Sequence, residues 1–374
     1  MRITLVSPHP VEPPDSGDRV RTAQLAAGLR ALGHEVTVLA YSWRGEQSSG
    51  AHTRYVAGRP AGGLSAVAWR TRLAYERRHN VFALHQMPQL HRRMLTALDE
   101  VAPDVVDFQH SFTWFDTGRP NVVTVHNVES DRQARFSRAA VRAIAGGAAT
   151  ERTAAESADV TVVFSDLDAE RLRAHAQPHA LHVVPLGYDP GPRGPAPRPE
   201  FTTAAYVGSM DYEPNVAAAR LLIAQWPAIH AASGLQRLLI VGRRAGEHFR
   251  SSGQVEVLSD VPDMRRALEP ADALVVPLMS GGGVRVKIIE AFALGLPVVS
   301  TPLGIEGLGA LDGVHAVIVR DVAALASGLA RMREQPTRAA LADNARLLWE
   351  SHFSPARTAQ QMLTVYDAAI AGHS

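Results

Sequence analysis

Residues 277–299 read PLMSGGGVRVKIIEAFALGLPVV, and this stretch decides the fold of its half of the chain. An apolar strand runs into three consecutive glycines, which lead into a helix over residues 284–294 and a further strand over residues 297–300. Strand, helix and strand in this order are typical of a βαβ unit with parallel strands. Uninterrupted apolar runs are typical of strands buried on both faces of such a sheet. The stretch therefore predicts a parallel α/β domain.

The same alternation occurs in the first half of the chain. Strand, helix and strand open the sequence, with Gly33 at the predicted end of the helix. Residues 185–200 are rich in proline and glycine, which disfavour helix and sheet, and we interpret them as a linker. We predict two Rossmann-like, doubly wound α/β domains, residues 1–184 and 201–353, that face each other across a cleft. Such sheets bind ligands at the carboxyl ends of their strands.

Hydrophobic periodicity places the individual elements. In the first domain we expect strands at residues 3–6, 35–39, 104–108, 121–125, 159–164 and 181–184, and helices at residues 65–78, 84–99 and 130–157. In the second domain we expect strands at residues 203–207, 237–241, 255–258, 273–277, 297–300 and 315–319, and helices at residues 215–226, 263–268 and 284–294. Three further helices are expected at residues 321–333, 336–349 and 355–370.

Composition excludes several classes of function. The 46% apolar and 20% charged content of the 374 residues indicates a folded chain of two or three domains. The 38 basic and 37 acidic side chains nearly cancel, so no overall field attracts nucleic acid. The absence of cysteine excludes disulfides and thiolate metal sites. Because the longest apolar stretches are strand-sized, we expect no transmembrane segment and a cytoplasmic protein.

The glycine turn carries the strongest signal for a ligand. Gly281, Gly282 and Gly283 allow a close approach of the backbone, and the helix behind them offers free N–H groups to a phosphate. Lys287 is the only lysine among the 38 basic residues, and Glu290 lies on the same helix face. A cation for phosphate and an acid for ribose hydroxyls indicate a nucleotide site. The alternative is a flexible turn followed by an exposed ion pair.

Polar residues elsewhere support weaker hypotheses. His110 and His126 follow two predicted strands at their carboxyl ends, where either could face a ligand or be structural. Arg243 follows another strand and could contact the nucleotide or lie in a solvated turn. Asp166 and Asp168 have the spacing of a metal-binding Asp-x-Asp motif, but Ser165 before them favours a helix cap, and we expect no metal. A basic stretch could face an acidic acceptor or a membrane surface, although a solvated face is favoured; its residues are Arg70, Arg72, Arg77, Arg78, Arg92 and Arg93.

Three segments resemble a known family. Residues 287–299, KIIEAFALGLPVV, resemble the signature of the GT-B glycosyltransferases of family 4, and residues 33–38, GHEVTV, resemble their second strand. Residues 206–215, YVGSMDYEPN, resemble the start of the donor domain in a branch of that family. The resemblance implies a retaining, metal-independent sugar transfer from a nucleotide diphosphate. It also implies that residues 354–374 form a helix crossing back to the first domain.

The resemblance implies roles for individual residues. Glu290 would hold the ribose hydroxyls, and Arg285 and Lys287 the diphosphate. His126 would face the transferred sugar. Gly17 would belong to the loop that closes over the phosphate. We also expect Gly208, Ser209, Arg243 and the three glycines of the turn in the donor site, but Ser209 and Asp211 stand where many members of the family have Arg and Lys. The family's first glutamate is replaced by Gly282, so the donor sugar stays undetermined.

We therefore expect a hexosyltransferase that uses a nucleotide diphosphate sugar and no cofactor. A UDP-sugar is expected ahead of a GDP-sugar. The acceptor would be a glycan or a small natural product of a bacterium, and the oligomeric state stays open. Two alternatives are a nucleotide-sugar epimerase of the same architecture and a catalytically silent nucleotide-sugar-binding subunit.

Overall fold

The computed structural model describes residues 1–12, 17–43, 50, 52–58, 83–128, 147–194 and 196–373. The chain forms two compact units. The first comprises Met1–Gly187, Gly282–Val284 and Pro355–Ser374, and the second comprises Tyr188–Gly281 and Arg285–Ser354.

The first unit contains a seven-stranded parallel sheet in the order β3-β2-β1-β4-β5-β6-β7. The strands are β1 (Arg2–Ser7), β2 (Glu35–Ser42), β3 (Thr53–Ala57), β4 (Val105–Phe108), β5 (Asn121–Thr124), β6 (Val160–Val163) and β7 (Leu181–Val183). The described helices are α1 (Gly17–Ala31), α2 (Pro88–Val101), α3 (Gly147–Ser157) and α4 (Asp166–Arg173), with 3₁₀ turns at Ala83–Gln86 and Ser111–Thr113. The strand order reverses between β1 and β4, which is where such sheets bind ligands.

The second unit contains a six-stranded parallel sheet in the order β10-β9-β8-β11-β12-β13. Its strands are β8 (Thr203–Val207), β9 (Arg237–Gly242), β10 (Val255–Ser259), β11 (Ala273–Val276), β12 (Val298–Ser300) and β13 (Val317–Ile318). Its described helices are α5 (Glu213–Ser233), α6 (Ala245–His248), α7 (Met264–Leu268), α8 (Val286–Leu294), α9 (Leu325–Ala330) and α10 (Gln335–Leu348), with a 3₁₀ turn at Val322–Ala324 and a π turn at Trp349–Phe353.

The last helix, α11 (Pro355–Gly372), completes the first unit. Its side chains Met362 and Tyr366 are buried with Leu25 and Leu29 of α1 against one face of the seven-stranded sheet. Helix α2 covers the opposite face, where Met94 is fully buried with Phe108 and its neighbours. Both faces of the sheet are therefore covered, as its apolar strands require.

The predicted fold class, two doubly wound α/β domains, is confirmed. Strand β3 is an addition to the prediction, since its short sequence TRYVA pairs only with β2 at the edge of the sheet. The helix predicted over residues 84–99 begins instead at Pro88, because proline lacks the N–H that a continuing helix would need. The helix predicted over residues 65–78 lies outside the described residues, as does the first part of the one over residues 130–157.

The proline-rich segment that we interpret as a linker packs on the second unit over most of its described length. The Gly194 amide donates to the Leu294 carbonyl, 3.0 Å away, and Arg198 pairs with Asp272. Arg338 donates to the carbonyls of residues 198–200. Because these contacts hold Gly194 and residues 198–200 on the second unit, the division between the units falls earlier, at Gly187 and Tyr188, within the predicted linker.

Candidate functional site

The glycine turn before α8 has the backbone that its sequence requires. Gly281 and Gly283 have φ values of 104° and 82°, in the left-handed region that side chains disfavour. A Cβ atom at Gly281 would also lie 2.7 Å from the Tyr212 hydroxyl. Arg285 follows as the residue that precedes α8, and its Nη2 donates to the Gly281 carbonyl at 3.0 Å. Arg285 is buried, and this hydrogen bond stabilises the conformation of the turn.

Lys287 occupies the second position of α8, where it is half-buried. Its Nζ donates to Asn215 Oδ1 at 2.9 Å and to the Tyr206 hydroxyl at 3.4 Å, and it lies 4.6 Å from the centre of the Tyr206 ring. Burial, together with the positive charge of Arg285, lowers the pKa of Lys287 to about 7. The alternative of an exposed ion pair with Glu290 is wrong, because the ammonium group points to Asn215 and Tyr206 instead.

Glu290 lies one turn further along α8 and is buried. The Tyr188 hydroxyl donates a hydrogen bond to Glu290 Oε1 at 3.2 Å. Burial raises the pKa of Glu290 to about 7, and the Tyr188 hydrogen bond acts in the opposite direction. Tyr188 is fixed through its backbone, since its N–H donates to the Phe353 carbonyl and its carbonyl accepts from Trp349 Nε1.

Asn215 connects Lys287 to the loop after β8. Its Oδ1 accepts from Lys287 and, at 3.1 Å, from the Tyr206 hydroxyl, while its Nδ2 donates to the Ser209 carbonyl at 2.9 Å. Gly208 leaves room for this side chain, because a Cβ atom there would lie 2.8 Å from Asn215 Cγ. The structure therefore brings Gly208 and Ser209 beside Lys287, through a residue to which the sequence reasoning assigns no role.

Arg243 lies beyond this loop, after β9, and is about half exposed. Its Nε is 2.7 Å from Asp211 Oδ2, and Arg244 pairs with the same carboxylate. The hydroxyl of Ser209 also donates to Asp211, at 3.1 Å. These partners, Arg244 first, lower the pKa of Asp211. Asp211 therefore offsets part of the positive charge of Arg243 and Arg244 at this end of the sheet.

In the first unit, His126 follows β5 and is buried. Its ring centre lies 3.9 Å from that of His110 and 5.2 Å from that of Phe164. Burial first, and then the neighbouring His110 and Arg21, lower the pKa of His126 well below its usual value, so the ring is neutral at pH 7. Its Nε2 atom is buried and has no hydrogen-bond partner within the described part of the chain.

A buried polar network lies next to His126. Arg21 of α1 donates to Gln109 Oε1, and its guanidinium carbon lies 4.7 Å from the centre of the Phe164 ring. Asp107, fully buried on β4, provides the negative charge that faces Arg21. It also accepts from Tyr366 of α11 at 2.8 Å. The sequence reasoning did not identify this network, because its members come from three distant segments.

The remaining predicted residues have simpler outcomes. Gly17 begins α1, and residues 13–16 before it lie outside the described residues. The helix-cap interpretation of the Asp-x-Asp segment is confirmed, because Ser165 accepts from the Asp168 amide at 3.1 Å. Among the residues that the structure describes, no group of three or more His, Asp or Glu could hold a metal ion. Of the basic stretch, Arg70, Arg72, Arg77 and Arg78 lie outside the described residues, whereas Arg92 and Arg93 lie on α2.

Two family models match the chain. The model of Glycosyltransferase Family 4 matches residues 16–191, and the model of Glycosyl transferases group 1 matches residues 202–335. Among curated proteins, none matches the chain significantly. None of the described helices has the length and apolar composition needed to cross a bilayer.

Solved structures with the same fold cover nearly the whole chain. Sucrose-phosphate synthase from Thermosynechococcus elongatus is 19% identical, with a TM-score of 0.77 and 99% coverage of both chains. Anabaena HepE in complex with UDP-glucose is 14% identical, with a TM-score of 0.68 and coverage of 98% of this chain and 99% of that one. S. aureus TarM in complex with UDP is 9% identical, with a TM-score of 0.72 and coverage of 98% and 100%. These structures share the GT-B fold with the chain.

Proposed function

Because the chain belongs to the GT-B glycosyltransferases of family 4, we propose that it transfers a sugar from a nucleotide diphosphate to an acceptor hydroxyl with retention of configuration and without a metal ion. The single observation that carries the proposal is the pair of side chains on α8. The Lys287 ammonium is oriented by Asn215 and Tyr206, and the Glu290 carboxyl by Tyr188. A cation and an acid held on successive turns of one helix suit a diphosphate and a ribose.

The roles of the two side chains follow from their chemistry. Lys287, supported by the N-terminus of α8, would stabilise the negative charge that develops on the diphosphate as the sugar departs. Glu290 would accept hydrogen bonds from the ribose hydroxyls. Arg285 is the second cation near the diphosphate, and its hydrogen bond to the Gly281 carbonyl keeps the turn in the shape that admits a phosphate.

Retention follows if the acceptor attacks from the face that the diphosphate leaves. In that step the bond from the acceptor oxygen to the anomeric carbon forms as the bond to the phosphate oxygen breaks. The acceptor proton passes to the departing phosphate, so no protein base is needed. The neutral His126 would then serve as a hydrogen-bond partner for a hydroxyl of the transferred sugar, a role supported by its buried Nε2, which none of the described residues contacts with a hydrogen bond.

We propose a UDP-sugar as donor, with a GDP-sugar as the competing choice. HepE, which shares the fold, is solved in complex with UDP-glucose, and TarM, which also shares it, in complex with UDP. The sugar itself is not specified by the residues at hand, because Gly282 offers no side chain where the family has its first glutamate. The acceptor class is a glycan or a small natural product.

Product analysis with a panel of nucleotide sugars tests the proposal. Transfer should persist in saturating EDTA, and proton NMR of the fresh product should show the anomeric configuration of the donor. Loss of activity on chelation, restored by magnesium or manganese, would contradict the metal-independent step. An inverted product would contradict retention. Sugar products formed without any acceptor would indicate an epimerase, and donor binding without turnover would indicate a silent subunit.

A further inference from the structure

The first unit carries a continuous row of ring side chains in its described part. The centres of neighbouring rings lie 5.0, 5.1, 4.8 and 3.9 Å apart along the sequence of contacts Trp43, His85, Phe112, His110 and His126. We call these five side chains the ring row. Residues that are distant in sequence form it, so it is a product of the fold and not of a local motif.

The ring row lies at the carboxyl ends of the strands. Trp43 directly follows β2, His110 comes two residues after β4, and His126 two residues after β5. The carbonyl of Pro8, just after β1, accepts from Trp43 Nε1 at 2.8 Å and contacts His85 Nε2 at 3.2 Å. The row therefore spans the reversal of strand order between β1 and β4, where doubly wound sheets bind ligands.

Some rings of the row are buried, and others are partly exposed. Trp43, His110 and Phe112 are half-buried, whereas His85 and His126 are buried. Gly58 leaves room for the Trp43 indole to pack against the backbone, because a Cβ atom at Gly58 would lie 2.7 Å from Cε3 of the indole. Ring side chains that are fixed by packing and partly exposed are typical of small-molecule sites.

The row carries little charge at neutral pH. Burial lowers the pKa of His110 to about 3 and that of His126 well below its usual value, so both rings are neutral. Two charged groups among the described residues lie near the row: Arg21 is fully buried and faces Asp107, and the Asp18 carboxylate lies 2.5 Å from His9 Nε2. A phosphate or carboxylate placed on the rings would lose its hydration without gaining a cation from these pairs.

We propose that the half-buried rings of the row, Trp43, His110 and Phe112, bind the acceptor, and that the acceptor is an uncharged molecule that presents a flat ring face beside the hydroxyl to be glycosylated. The inference rests on the proposed transferase function and names its acceptor class. Two sources share this chemistry: an aromatic aglycone, which stacks through its π face, and an uncharged sugar ring, which packs through its apolar face. Acceptors with a phosphate or carboxylate at this position are disfavoured, because the rings are neutral and the nearby Arg21 is fully buried.

Binding of three probes tests this proposal. Phenyl β-glucoside, glucose and glucose 6-phosphate are titrated by calorimetry into the full-length protein, both free and loaded with UDP. Two matched variants are compared, Trp43→Leu in the row and Trp114→Leu outside it. Both indoles are half-buried and donate one hydrogen bond, but Trp114 bonds Asn121, at the amino end of β5.

We expect an uncharged probe to bind at least tenfold more tightly than glucose 6-phosphate. Trp43→Leu should weaken that binding about tenfold, with no effect on UDP affinity, whereas Trp114→Leu should change it less than twofold. Binding of phenyl β-glucoside alone would identify an aromatic acceptor, and equal binding of glucose a sugar acceptor. Preference for the phosphate, indifference to Trp43→Leu, or no binding of any probe would overturn the inference. Failure of UDP to bind wild-type protein would instead contradict the proposed function.

Discussion

Lys287 and Glu290 share one physical property, a pKa that burial moves to about 7. In each case the charged form is the one that burial disfavours, so the shift is downward for the lysine and upward for the acid. Both side chains are thus partly neutral at physiological pH. A diphosphate beside Lys287 and hydroxyl donors beside Glu290 would favour their charged forms. Opposite shifts of this kind are common at functional sites, where stability is lost in exchange for binding.

We expect Glu290→Gln to stabilise the free protein at high pH. The folded-state pKa of Glu290 is raised from 4.5 to about 7, so its stabilising contribution is present below pH 4.5 and is lost as the pH rises through 7. The amide does not ionise, so the variant should gain about 3 kcal/mol relative to wild type at pH 8 and little at pH 5. Urea unfolding at the two pH values measures this difference. A stability difference between variant and wild type that does not depend on pH would contradict the buried carboxyl.

Sequence alone could identify Lys287 and Glu290, because they stand in one helix beside a glycine turn, and the lysine has no counterpart elsewhere. It could not identify Tyr188 or Asn215. Tyr188 lies in a proline-rich segment with no periodicity, and its hydroxyl reaches Glu290 only through backbone contacts to Phe353 and Trp349. Such contacts depend on packing between distant segments, which no local pattern encodes.

At the scale of elements, the turn before α8 contains two glycines with different requirements. Gly281 has a φ of 104° and no room for a side chain because of Tyr212, whereas a Cβ atom at Gly282 would meet nothing within 4 Å. The backbone conformation therefore requires glycine at position 281, whereas position 282 has room for a side chain. The helix behind the turn ends at Gly295, which adopts the left-handed conformation that closes it.

Gly281→Ala and Gly282→Ala should separate these requirements. A side chain at Gly281 costs about 1–2 kcal/mol for its backbone conformation alone, so we expect a lower melting temperature and UDP affinity reduced several-fold. Gly282→Ala, as the matched control, should change stability by less than about 0.5 kcal/mol. Thermal unfolding and calorimetry with UDP measure both effects. Equal behaviour of the two variants would mean that the turn does not shape the site.

The elements that the sequence predicts best are those with a strong apolar run and a clear boundary. β8 (Thr203–Val207) is predicted at both ends, because its residues are buried throughout and polar or proline-rich segments flank it. β3 is not predicted, because an edge strand of five residues needs little hydrophobic pattern to pair with β2. Tertiary pairing, and not local propensity, makes Thr53–Ala57 a strand.

At the scale of the molecule, the two parallel sheets follow from the repeated alternation of strand and helix, and the sequence predicts them well. This alternation does not predict the buried polar network of the first unit. Asp107 on β4 faces Arg21 from α1 and accepts from Tyr366 of α11, 259 positions further along the chain, so three distant segments share one polar cluster. Each member looks ordinary in its own stretch of sequence.

Asp107→Asn should destabilise the first unit by about 3 kcal/mol, because it leaves the buried Arg21 without its negative counterpart. The matched control is Asp104→Asn, three positions earlier, whose exposed pair with Arg2 should contribute less than about 1 kcal/mol. Urea unfolding followed by tryptophan fluorescence compares the two variants. A loss at Asp104 as large as that at Asp107 would mean that burial of the network does not matter.

If Lys287 binds the diphosphate of the donor, UDP binding should be coupled to proton uptake. At pH 8 a lysine with a pKa of about 7 is mostly neutral, and beside a diphosphate it becomes charged. Calorimetry in buffers of different ionisation enthalpy should therefore show uptake approaching one proton for wild type. Lys287→Met should show none and bind UDP more weakly. UDP binding without proton uptake, at the same affinity in both proteins, would contradict a contact between Lys287 and the diphosphate.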